Sequence, residues 1–237
     1  MDKVIGLGKA GCAVAEELTE HPEYRIYKID KEIDERGSWA IGTYPDMAAY
    51  EENFDPTAGG IYLRSIKEGD EVLLVVMGGD PISGCTLKLL QCLQDAKVHI
   101  LYICPDRQML SEIQKRDDKI CFNILQQYAR SGMFENLILL KKDIVERLMG
   151  DVSIQDYERH ASHFISYLIA MINYFQHTEP VVSTKISPID WCRLSTYGVS
   201  SIREDQQEVN LLFPLESISD LHFFYGIPAQ DLDEDPT

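Results

Sequence analysis

What this sequence has little of narrows its chemistry. Cations are scarce: 22 Lys and Arg stand against 39 Asp and Glu, for a formal net charge of −17. Proteins that grip nucleic acid or an anionic membrane draw affinity from clustered Lys and Arg, so no nucleic-acid or membrane partner is expected. No C-x-x-C pair occurs among Cys12, Cys85, Cys92, Cys104, Cys121 and Cys192, which removes the usual ligand spacing of zinc sites and of dithiol redox motifs. These dispersed cysteines, mostly in apolar runs, read as reduced, buried thiols of a cytoplasmic protein. No apolar run approaches the length of a membrane span. Lys3 and Lys9 bracket only five residues, too few for the apolar region of a signal peptide. Internal repeats and low-complexity stretches are lacking too.

What is there suits one sizeable α/β domain with a small appendage: 237 residues, 45% of them hydrophobic. The chain is organised around Lys3–Leu18. Val4, Ile5 and Leu7 run into Gly6-x-Gly8-x-x-Gly11, and an Ala-rich segment of good helix formers follows at once. Strand, glycine turn and helix start, in that order, make a nucleotide-binding βα unit. The glycines admit a phosphate close to the backbone, and the first helical turn offers it unpaired N–H groups. In a dinucleotide-binding version of this unit, Asp30 at the end of the strand Tyr24–Asp30 holds the ribose hydroxyls.

Residues 31–60 lose periodicity and gather turn residues around a short helix at Met47–Glu52. Strands follow at Glu71–Met77, Val98–Cys104 and Asn136–Leu140, apolar enough to be buried on both faces. Helices alternate with them, one carrying Leu87, Leu90 and Leu93, another covering most of Asp106–Arg130, in one piece or in two around Asp117-Asp118. The expected fold is therefore a doubly wound, mostly parallel α/β sheet. Ser153–Phe175 is the longest helix, opened by a Ser153-x-x-Asp156 capping box and apolar nearly all round in its second half. His160 and His163 on its polar face read as solvated. Beyond Pro180 come shorter β-like segments: Tyr197–Arg203, Val209–Phe213 and Leu221–Tyr225.

A second glycine loop, Gly78-Gly79-Asp80-Pro81-Ile82-Ser83-Gly84-Cys85-Thr86, also joins a buried strand to a helix start. Two such loops on neighbouring strands can grip one polyphosphate from both sides. Here the chain resembles the FtsZ/tubulin family, whose signature loop GGGTGSG follows a similar strand; Gly78, Gly79, Ser83 and Gly84 match it in kind. Gly6–Ala13 is similar to that family's first phosphate loop, and Ser153–Phe175 to its long core helix. Phe122-Asn123 is similar to its Tyr-Asn segment, and Lys142-Asp143 to its Asn-Asp pair. Ile186–Arg193 resembles the synergy loop Asn-x-Asp-x-x-Asp, with Asp190 on the first acid, Pro188 on the Asn and Arg193 on the second acid.

The resemblance, which covers residues 1–203, implies GTP or GDP as ligand, with Mg²⁺. It implies phosphate contacts from Gly6, Gly8, Lys9, Gly11 and Cys12, and from Gly78, Gly79, Ser83, Gly84 and Thr86. Glu158, with Asp156 as the other nearby position, stands where the family reads the guanine base. The synergy loop enters a neighbouring subunit's site in that family, so Asp190 is the candidate catalytic acid. A homo-oligomer, or action on a host filament protein, is implied as partner. Two departures weaken hydrolysis: Asp80-Pro81 removes an N–H donor and adds a negative charge, and Arg193 stays protonated and cannot orient water as a carboxylate would. Arg193 either reaches a neighbour's phosphate or is a surface residue. The expected division is a nucleotide-binding domain at 1–178, a reduced C-terminal segment at 179–230 and an acidic tail at 231–237. Reduced members of the family occur in bacteriophage and bacterial genomes, so a viral origin in a host cytoplasm is compatible with the chain. Two other readings stay open: an NAD(P)-dependent oxidoreductase using the first loop and Asp30, and a nucleotide-free interaction module.

Overall fold

The computed structural model describes residues 1–35, 37–59, 63–153, 155–181, 192–200 and 209–226. Strand β1 (Lys3–Leu7) passes directly into α1 (Gly8–Glu17), followed by β2 (Arg25–Asp30), β3 (Ser38–Ala40) and α2 (Met47–Asn53). Then come β4 (Glu71–Met77), α3 (Thr86–Cys92), β5 (Lys97–Cys104), α4 (Glu112–Ser131), β6 (Asn136–Lys141) and α5 (Lys142–Met149). The long helix α6 (Tyr157–His177) precedes β7 (Leu194–Ser195), β8 (Gly198–Ser200) and β9 (Val209–Leu211).

Seven strands form one sheet in the order β3-β2-β1-β4-β5-β6-β7, with parallel pairing throughout. Strands β8 and β9 pair antiparallel as a separate small ribbon. The doubly wound expectation holds, because both faces of the sheet are covered. Ile5, Leu7, Leu74, Val76, Ile100 and Leu139 face the side of α3 and α4, where Leu89 and Leu125 meet them. The alternate residues Val4, Leu73, Val75, Leu101 and Leu140 face α1 and α6, through Val14, Ala15, Ile165 and Ile169. The order reverses between β1 and β4, and doubly wound sheets take their ligands at the carboxyl ends of the strands at such a reversal.

Helix α4 is unbroken at Asp117-Asp118, because both carboxylates turn inward and are buried. Tyr102 Oη from β5 donates to Asp118 Oδ1 (2.8 Å), Arg107 pairs with Asp118 and Arg116 with Asp117, so both buried charges are partnered and the helix continues through them. Two expectations need correction. Helix α6 starts at Tyr157: the Ser153–Asp156 hydrogen bonds close a turn ahead of it. Its second half is amphipathic, with Ile165, Leu168, Ile169 and Asn173 buried while Tyr167 and Tyr174 are exposed. Finally, Leu221–Tyr225 is no strand. Its alternating rings serve stacking instead, Phe224 lying on Phe175 with centroids 5.6 Å apart.

Asn173 fastens α6 to the far edge of β1, donating from Nδ2 to Met1 O and to Tyr24 Oη, both at 2.9 Å. Among the described residues no helix is long and apolar enough to cross a membrane.

Candidate functional site: two glycine loops at the sheet's crevice

The first loop is built by β1 ending on Leu7 and α1 beginning without any side-chain cap. Gly8 has φ +73°, a left-handed conformation that favours glycine. A Cβ there would lie 2.6 Å from Ile82 Cγ2 and 3.2 Å from Asp80 Oδ2, so the second loop rests directly on the first. Gly6 and Gly11 do different work. A Cβ on Gly6 would strike Gly11 O at 2.5 Å, and one on Gly11 would strike the Val75 carbonyl. These two glycines let α1 press against β1 and β4, and that packing fixes the direction in which α1 aims its free N–H groups.

In the second loop Gly78 passes under Tyr102 and Asp118, Gly79 (φ +73°) passes Leu110, and Gly84 packs against the Met47 carbonyl of α2. The Thr86 hydroxyl is buried without a hydrogen bond, and the buried Ser83 hydroxyl lies against the Cys121 thiol. Cys12 points into the fold, its thiol donating to Gly6 O (3.3 Å), and burial pushes its pKa up to about 12. It is a closed, unreactive thiol whose only path to a ligand is its backbone N–H.

The charged groups decide what the crevice can accept. Asp80 caps the 3-10 turn Pro81–Cys85, its Oδ1 accepting from Ile82 N at 3.2 Å. Burial raises the pKa of its carboxyl; Asp30 adds repulsion, while the Ile82 N–H and Lys31 pull the other way. Asp30 ends β2 at the same edge, its Oδ1 accepting from Lys31 N (2.8 Å). Lys9 Nζ reaches Glu158 Oε2 at 2.7 Å, which brings the first turn of α6 to the first loop. That contact raises the Lys9 pKa and lowers that of Glu158. Both side chains are exposed, so the pair is worth at most about 1 kcal/mol.

The structure thus gathers Gly8, Lys9, Asp30, Asp80 and Glu158 around one crevice. Asp156 is turned away, bonded to Ser153 and paired with Arg159. Arg193 is half-buried and engaged within its own chain. Its Nη1 donates to Phe134 O (2.8 Å) and its guanidinium lies against Gly132, bolting β7 to the turn before β6. Asp190 and Ile186–Trp191 lie outside the described residues. Phe122 packs on Tyr102 inside the core (5.6 Å), and Asp143 is engaged by Lys141 and Arg147.

Two features escape sequence reasoning. One is the Tyr102–Asp118 contact beneath Gly78. The other is an open depression of about 570 Å³ lined by Arg107, Gln108, Glu112, Lys115, Arg116 and Lys119. The Ser111-x-x-Gln114 capping box, which fixes the start of α4, is the local signal for the second. Nothing in sequence announces the first, since its partners come from separate elements. Among the described residues no group of three His, Cys, Asp or Glu could hold a metal ion.

As a receptor for a nucleotide's phosphates, the backbone fits: an uncapped helix start, a left-handed glycine and a second loop face one crevice. The Asp80 carboxylate over Gly8 opposes them, with Asp30 beside it.

No protein-family model matches the sequence, and no curated protein matches it. Solved structures do. An empty FtsZ dimer from M. jannaschii is similar with a TM-score of 0.61 at 12% identity, over 76% of this chain and 56% of that one. A point mutant of the M. jannaschii FtsZ gives 0.61 at 12% identity, over 76% and 58%. The GDP-bound monomer of CetZ1 from Haloferax volcanii gives 0.57 at 20% identity, over 73% and 60%. The chain spans less than two thirds of the length of each of these structures. At such identities the likeness speaks for architecture alone: this chain has the FtsZ/tubulin-type fold.

Proposed function

We propose that the chain is a guanine-nucleotide-binding protein of FtsZ/tubulin type that self-associates and hydrolyses GTP slowly or not at all. The observation that carries this reading is the convergence of three segments far apart in sequence. The Gly8 loop, the Asp80–Ser83 loop and the Glu158 turn of α6 meet where the strand order reverses. A second glycine loop stacked on the first has no role in a dehydrogenase.

In this reading the α1 N-terminus and the Gly79 backbone take the phosphates, while the Gly78 N–H is held by Ile103 O at 3.0 Å. Lys9 exchanges Glu158 for a phosphate oxygen, and the freed Glu158 accepts from guanine N1–H and the 2-amino group. The buried hydroxyls of Ser83 and Thr86 are the side chains nearest that role in the second loop. Asp190 is the one acid left in the synergy loop, and Arg193, committed to Phe134 O, offers it no help. Slow or absent hydrolysis follows. The GDP in the CetZ1 structure and the dimer of FtsZ support the ligand and the self-association by likeness of fold.

The test is a fluorescence titration with a labelled GDP, competed by GTP and by ATP. GTP displaces the probe and ATP does not; in Glu158→Gln the preference for guanine falls at least tenfold, since one of two accepting oxygens is lost. Light scattering in the same solutions rises more steeply than in proportion to protein concentration, as self-association requires. Equal competition by ATP and GTP in the unmutated protein would contradict the assignment of Glu158.

A further inference from the structure

We infer that Asp80 is an internal anion held over the first glycine loop, and that it sets how tightly the crevice accepts a nucleotide's phosphates. This rests on the guanine-nucleotide reading above. The carboxylate is not a loose surface group. Oδ1 is tied to Ile82 N at 3.2 Å, which aims Oδ2 at the space over Gly8, 3.2 Å from where a Cβ would stand. Ile82 closes the same space from beside it, with Cγ2 at 2.6 Å from that point.

The neighbouring charges do little to help an incoming phosphate. Asp30 adds a second negative charge, Lys31 offsets part of it, and Lys9 is drawn to Glu158. A phosphate settling on the α1 N-terminus must therefore displace Asp80 or share the crevice with it, and like charges in a partly desolvated site repel more than in water. The loop's Pro81 supports this arrangement, since proline at the first position of the turn fixes the backbone that presents Asp80. The same aspartate holds its own turn and obstructs the ligand.

Asp80→Asn is the informative change, because the amide oxygen still accepts from Ile82 N while the charge is gone. Labelled GDP is titrated into the unmutated chain and into Asp80→Asn at low and at high salt, with folding checked by circular dichroism. The inference expects binding at least tenfold tighter in the variant, with a gap that narrows as salt screens the repulsion. Asp80→Ser, whose hydroxyl also caps the turn, gives the same direction and serves where the amide variant fails to fold. Measurable and equal affinity in both chains overturns the role of Asp80 and leaves the nucleotide reading standing. Weaker binding in the folded variant overturns it as well, by making Asp80 a favourable contact. No binding by either folded chain overturns both.

Discussion

A methyl group at residue 8 would meet two obstacles at once, backbone strain and an occupied space. The left-handed conformation costs a non-glycine residue about 1–2 kcal/mol, and the Ile82 side chain must shift to admit the Cβ. Gly8→Ala therefore lowers the melting temperature by several degrees and disturbs the loop contact, as a thermal melt followed by circular dichroism would show; an unchanged melt would mean that the two loops do not rest on each other. Asp80 acts in the opposite sense. Its raised pKa means that the folded state holds the proton more tightly than the unfolded chain. Its contribution to stability thus falls as pH rises from the ordinary carboxylate range through the raised value. Removing the charge in Asp80→Asn flattens that part of the pH profile and raises the melting temperature at neutral pH. Cys12, though inside the glycine loop, offers no side-chain chemistry, because its thiol is turned toward Gly6 O and Ile29 O.

Single elements carry the next level of the account. Strand β4 is legible to the residue at Glu71–Met77, because a strand buried on both faces must be apolar without alternation. Strands β3 and β7, of three and two residues, are set by the backbone they pair with rather than by their own pattern. Helix α5 follows β6 without a turn and mixes charge with apolar residues over only eight positions, so its sequence does not separate it from a loop. The glycine loops could be read locally, yet what they meet could not: Gly8 rests on Asp80 and Ile82, and Lys9 on Glu158, 149 positions away. The buried Asp118 is likewise explained only by Tyr102 arriving from β5. Tyr102→Phe removes a hydrogen bond to a buried carboxylate and leaves Arg107 as its remaining partner. It should cost about 1–3 kcal/mol, read as a lower urea midpoint with the slope unchanged. An unchanged midpoint would mean that Asp118 does not depend on Tyr102.

At the scale of the whole molecule, the sheet's reversal point places the crevice, and the global field works against anions reaching it. A chain of net charge −17 repels a nucleotide at long range, so association quickens as salt screens that field. Local N–H groups at the α1 start must outweigh both this field and Asp80. The fold likeness explains why those groups are where they are, since the matched structures share the sheet that aims them. The most direct test of the central claim is a thermal-shift series on the unmutated protein with GDP, GTP, ATP, NAD and NADP. At a concentration tenfold above Kd, a ligand of the native state adds about 1.4 kcal/mol, or roughly 3–6 °C for a domain of this size. The account predicts that shift with GDP and GTP alone; a shift with NAD but not GDP, or none with any nucleotide, would contradict it.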